Sequence, residues 1–139
     1  MGIYLNIVTP EKVVVSEEEV DKIVCPGYNG ELGILSGHVP LITSLKVGEV
    51  NYIGTESKKD HYLIVTGGYL EVTGEKATIL ADRCIRSRDF DKLQTELDLK
   101  KSEEILKTAE KNSTEYLNAK EDNDYYRAIL KLLEKIGQG

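Results

Sequence analysis

The feature that most constrains this chain is a change of texture near residue 89. Ten of its 12 glycines stand at or before position 74, and the other two are Gly137 and Gly139. In the glycine-bearing part, short segments rich in Val, Ile, Thr and Tyr alternate apolar with polar residues, the period of a half-buried strand. They are Ile3, Leu5 and Ile7; Val13 and Val15; Val20 to Cys25; Leu32 to Leu35; Leu41 to Val47; Glu49 to Ile53; His61 to Thr66; Tyr69 to Thr73; and Lys76 to Ala81. Gly67-Gly68 and Gly74-Glu75 read as turns between neighbouring strands. Such a series of closely spaced short strands predicts an all-β sandwich or flattened barrel over residues 1–88.

From residue 89 onward Leu, Lys, Glu and Ala take over, a helical composition. Leu93, Leu97, Leu106 and Ala109 supply one imperfect apolar face. A break follows at Glu110 to Ser113, where Asn112 reads as a helix cap and Glu115 as its capping-box partner. Beyond it Ala119, Tyr126, Ile129, Leu130, Leu133 and Ile136 recur at helical spacing. Residues 89–139 therefore read as a C-terminal α-helical hairpin, too short and irregular in pattern for a sustained coiled coil.

Charge and composition exclude several classes. With 18 basic and 24 acidic residues the net charge is −6, which opposes nucleic-acid binding, since phosphate neutralisation requires a basic face. No apolar run approaches the roughly 20 residues needed to cross a bilayer, and MGIYLNIVTPEK has none of the features of a signal peptide. Cys25 and Cys84 are far apart and form no CxxC pair, so they read as small buried hydrophobes and not as metal ligands.

Catalytic chemistry finds no constellation. The only histidines are His38 and His61; Ser36 precedes His38 by two residues but sits in no nucleophile elbow. Gly27-Tyr28-Asn29-Gly30-Glu31-Leu32-Gly33 superficially resembles a phosphate loop, yet it runs into strand-like Ile34-Leu35 with no Lys-Ser or Lys-Thr and no helix start. Its glycines read as tight turns or close packing. The whole stretch from 27 to 48 is punctuated so heavily that it must be an elaborate corner or a contact surface.

In that stretch, GELGILSGHVPLITSLKVGEV resembles the epsilon subunit of F-type ATP synthase, the family's most characteristic segment. Thr66 to Val72, with its glycine pair, and Thr78 to Asp82 agree in order and spacing. The resemblance runs from residue 3 to about 136. It implies a non-catalytic central-stalk subunit whose sandwich contacts the gamma subunit through Val39, Pro40 and Leu41 and the c-ring through Glu31 and His38. It also implies a hairpin that, when extended, reaches the beta and alpha subunits and inhibits ATP hydrolysis. Arg127, Lys131 and Lys135 form one basic stripe on its second helix. Some family members bind ATP on the hairpin. Here Asp91 and Arg127 remain of that motif, while Gln94 stands where arginine is expected and Lys131 replaces a second arginine, so the site is degenerate and no cofactor is implied.

The same resemblance places the chain at the cytoplasmic face of a bacterial cell membrane, held there only through its complex, with a plastid thylakoid second. The coupling ion, proton or sodium, is determined by ligands on another subunit. A different class, a β-sandwich ligand- or peptide-binding module with a helical dimerisation tail, stays open on composition, since eight tyrosines offset the absence of tryptophan.

Overall fold

The computed structural model describes residues 2–137. The chain divides between Arg86 and Ser87 into two compact units. Among the described residues no helix is long and apolar enough to cross a membrane.

The first unit holds nine strands: β1 (Ile3–Val8), β2 (Val13–Gly27), β3 (Gly30–Leu35), β4 (Leu41–Ser44), β5 (Gly48–Gly54), β6 (Asp60–Thr66), β7 (Tyr69–Thr73), β8 (Lys76–Leu80) and β9 (Arg83–Arg86). They join in the order β4-β7-β8-β1-β2-β5-β6-β9, with β3 also on β2. All pairings are antiparallel except β1 with β8. This is the sandwich expected from the alternation, and its core is built from alternate positions such as Ile3, Leu5 and Ile7 of β1 and Val50 and Tyr52 of β5.

β2 serves both layers. Residues 13–20 pair with β1, while residues 20–27 pair with β5 and β3. Val13–Val15 and Val20–Cys25, two segments by sequence pattern, are thus one strand interrupted by a bulge. The register slips between Leu5 and Ile7, and Glu17 takes a φ of 47°, in the left-handed region. Asn6 makes this tolerable: its Oδ1 accepts from the Glu17 backbone N–H (3.0 Å) and its Nδ2 donates to the Glu17 carboxylate (3.2 Å).

One of the two glycine turns changes. Gly67-Gly68 is no hairpin turn, because β6 pairs with β5 and β9 while β7 pairs with β4 and β8. It carries the chain between layers, past a carbonyl that leaves no room for a side chain: a Cβ on Gly68 (φ 103°) would lie 1.8 Å from the Leu80 oxygen. Gly74, by contrast, does turn the β7–β8 hairpin. The ninth strand, β9, was hidden by its arginines and its four-residue length. Of the two cysteines, Cys25 is buried and Cys84 half-buried.

The second unit comprises a 3₁₀ turn (Ser87–Asp89) and two helices, α1 (Lys92–Thr108) and α2 (Thr114–Gly137), which pack as a hairpin. Asp91 caps α1 by accepting from the Gln94 N–H at 3.0 Å. The cap of α2 is Ser113, not Asn112: its Oγ accepts from Tyr116 N–H (3.1 Å), so Glu115 falls one position short of a capping box. Asn112 instead occupies the left-handed region (φ 67°) that the connection needs. The inner face of α1 also differs from the leucine pattern. Leu93 is 72% exposed and Leu97 is exposed, while Thr95 and Ser102 are buried, with Leu99 and Leu106 half-buried on the same side. Both hydroxyls donate to carbonyls one turn back, of Asp91 (2.6 Å) and Leu99 (2.7 Å), so burial leaves neither unsatisfied.

Candidate interaction surface

The β2–β3 hairpin builds the first candidate surface. Gly27 pairs with Gly30 around Tyr28-Asn29, and Gly30 needs its φ of 117°. The base of the hairpin is clamped: Lys46 N–H donates to Pro26 O at 2.8 Å, Leu45 bridges Gly27, and a Cβ on Gly48 would approach the Pro26 Cβ to 2.8 Å. The tip therefore presents exposed Tyr28 from a fixed frame, with the Lys46 ammonium 5.9 Å from its ring centroid.

Along β3 the outward positions are Glu31, Gly33 and Leu35, all exposed. Gly33 has no positive φ, and a Cβ built on it would meet nothing within 4 Å. Nothing among the described residues requires glycine there. A bare strand position flanked by an acid and a leucine is a flat spot on which another backbone can rest. The strand then closes in a turn in which His38 N–H donates to Leu35 O (3.1 Å), with Gly37 at φ 83° as the third turn residue. His38 Nδ1 lies 2.7 Å from the Val39 carbonyl, which can only accept, so that nitrogen carries the proton. Val39 and Pro40 are exposed, whereas Leu41 packs partly against the core.

A second surface was not visible by sequence reasoning. On the outer face of the β4-β7-β8-β1 layer, cross-strand register aligns Tyr69 with Leu80, Leu80 with Val8, and Val8 with Val13. Tyr69 is 58% and Leu80 51% exposed, and Val13 and Ile42 are exposed nearby on the same layer. A cleft of about 320 Å³ runs beside the row, lined by Val8, Thr9, Pro10, Gly68, Tyr69, Leu80, Ala81 and Asp82. Each of the four strands contributes one residue to the row, and only register reveals that they form one.

The remaining candidates have structural employment. His61 stacks on Tyr52 (centroids 4.6 Å, 11° between planes), and its buried Nε2 has no hydrogen-bond partner, so Ser57 in the same cleft is not activated by it. Tyr52 donates to Glu18 (3.0 Å) and accepts from Arg86 (3.4 Å), while Arg86 also donates to Val14 O (2.9 Å). Burial, the largest influence on it, raises the Tyr52 phenol above its ordinary value. Among the described residues no group of three or more His, Cys, Asp or Glu side chains is placed to hold a metal. In the hairpin, Asp91 is spent on capping, and Arg127 donates to Asn123 Oδ1 (2.7 Å) and to Glu103 (3.1 Å). Lys131 and Lys135 are exposed along the same line of α2.

Comparison with known proteins fits this architecture. Residues 3–87 match the family described as the ATP synthase delta/epsilon chain, beta-sandwich domain. An ATP synthase epsilon chain from Desulforamulus reducens is 38% identical over 135 residues, covering 96% of this chain and 92% of that one. This chain is a member of the ATP synthase epsilon family. A second epsilon chain, from Nitratidesulfovibrio vulgaris (strain DSM 19637 / Miyazaki F), is 41% identical over 90 residues, and the match spans 65% of this chain and 65% of that relative's length. In fold the epsilon-family chain resembles a chain of the Euglena gracilis mitochondrial ATP synthase, solved as OSCP/F1/c-ring (TM-score 0.81, 16% identity, 95% of this chain and 81% of that one). It also resembles one from the central stalk and c-ring of the Tetrahymena thermophila mitochondrial enzyme (TM-score 0.60, 16% identity, 95% and 96% covered).

Proposed function

We propose that this chain is a non-catalytic rotor subunit of an F-type ATP synthase, seated between the gamma subunit and the c-ring and able to inhibit ATP hydrolysis through its C-terminal helices. The observation that carries the reading is the apolar row in which exposed Tyr69, Leu80 and Val13 flank half-buried Val8, with Val39 and Ile42 exposed on or beside the same layer. Apolar residues set side by side across four strands cost solubility unless a partner covers them, and gamma is the partner that the family supplies. The Glu31-Gly33-Leu35 face and the neighbouring His38 turn suit the polar loops of the c-ring, with Glu31 as the charged contact. In the extended hairpin, Arg127, Lys131 and Lys135 would meet the beta and alpha subunits. Membrane association then occurs only through the complex, at the cytoplasmic face of a bacterial membrane.

Cross-linking tests the seating. A cysteine placed at Glu31 should join to a cysteine in the polar loop of the c subunit, and one at Tyr69 should join to gamma. Capture of position 31 by beta alone would reject the placement.

A further inference from the structure

We propose that Arg127 is the release point of the helical hairpin, because it satisfies a buried amide on which the closed form depends. Asn123 is 6% and Ser102 3% exposed at the seam between α1 and α2. The amide is held at both ends: Nδ2 donates to Ser102 Oγ (3.1 Å), and Oδ1 accepts from Arg127 Nε (2.7 Å). The Ser102 hydroxyl donates in turn to Leu99 O (2.7 Å), and the far side of the guanidinium donates to Glu103 (3.1 Å). Ser102, Asn123, Arg127 and Glu103 are thus linked in one register of the two helices, and a slip of either by one residue would break the chain of bonds.

The two ends of this network differ. The Arg127–Glu103 pair is solvent-exposed, with side chains 61% and 40% accessible, and contributes little by itself. The Arg127–Asn123 bond is different, because its acceptor belongs to a residue only 6% exposed, where a lost donor costs more than at the surface. A partner surface carrying paired carboxylates can take the guanidinium away from Glu103 at small cost. Doing so strips Asn123 Oδ1 of its donor and destabilises the closed hairpin. Binding of Arg127 and opening of the hairpin are then two sides of one equilibrium, each favouring the other. The inference deepens the inhibitory reading above and rests on it for the identity of the partner. The latch itself rests only on contacts within the hairpin.

Spin labels at the exposed positions Lys107 and Lys120 of the full chain would report closed and open hairpins as short and long distances. Ser102→Ala and Arg127→Ala each leave one end of the Asn123 amide unpaired, and each should raise the open population about tenfold, while Lys100→Ala leaves it within about twofold. Ser102→Ala combined with Asn123→Leu removes the buried polar groups altogether and should return the population to the closed form. Open populations within twofold of the unaltered chain in both single variants would overturn the latch. In the assembled enzyme, Ser102→Ala keeps Arg127 available and should lower ATP hydrolysis, and the double variant should raise it. Distances that move while hydrolysis stays flat would uphold the latch and overturn the inhibitory reading.

Discussion

At Gly33 stability and the proposed contact make opposite demands. In a strand interior glycine costs roughly 0.5–1 kcal/mol relative to alanine, and here there is open space above the backbone and no unusual φ to justify it. Gly33→Val should therefore raise the urea midpoint of the chain while weakening its retention on an assembled rotor in a pull-down. A loss of stability, or unchanged retention, would show that the glycine serves the fold after all. The cysteines make the opposite case, residues whose role ends at packing. Burial pushes the Cys25 thiol up to about 12 and Cys84 up to about 11. At pH 8 neither should react with a disulfide-exchange reagent until the chain is denatured, when both should titrate. The sign for stability follows: an unfolded thiol ionises first, so the contribution of Cys25 to stability declines as pH rises above 9 toward 12. Fast labelling of Cys25 in the folded chain would contradict its burial.

At the scale of elements, Arg86 and Tyr52 bind β2, β5 and β9 together through Glu18 and the Val14 carbonyl. Tyr52→Phe removes the shared hydroxyl and should cost about 1 kcal/mol in chemical denaturation, with the strand content seen by circular dichroism unchanged. The hairpin permits a second prediction. Asp91 is committed to a cap, Arg127 to Asn123 and Glu103, and Gln94 donates to Asp98 (3.0 Å), so a phosphate would have to displace existing bonds with no second arginine to help. Calorimetry with MgATP should detect no binding in the micromolar range. Such arrangements mark the limit of what the sequence shows. Alternation and glycine placement displayed the sandwich and the hairpin because burial on one face imposes a period. The β2 bulge escaped because Glu17 is relieved by Asn6, eleven residues away. The inner face of α1 escaped because Thr95 and Ser102 can be buried by bonding back to their own helix, which breaks the apolar pattern without breaking the packing. The apolar row on the outer layer needed register, which no single strand contains.

For the whole molecule, the question is what the second unit adds to the first. The first unit has its own core and pairs each of its nine strands with another, so truncation after Asp89 should leave a β-rich fragment that, on the proposed seating, still binds gamma. The proposed regulation would then fall to residues 90–136, which as one continuous helix would span about 70 Å, roughly twice the width of a small domain. On α2 the residues Arg127, Lys131 and Lys135 are four apart and share one edge, beside the apolar Tyr126, Ile129, Leu130, Leu133 and Ile136. Cations near a helix C-terminus also favour the helix dipole, so the stripe has a stabilising reading that needs no partner. The two readings differ in the intact enzyme. If the stripe inhibits, deleting residues 112–139 raises ATP hydrolysis, and changing Arg127, Lys131 and Lys135 together to Ala reproduces most of that rise. The triple change also loosens the hairpin by freeing Asn123, yet a helix that opens without its charged edge has nothing to offer an acidic surface, so hydrolysis still increases. Hydrolysis unaffected by the deletion would remove the inhibitory role. A rise on deletion without one on the triple change would assign inhibition to the apolar edge, and the cations would then serve the helix alone.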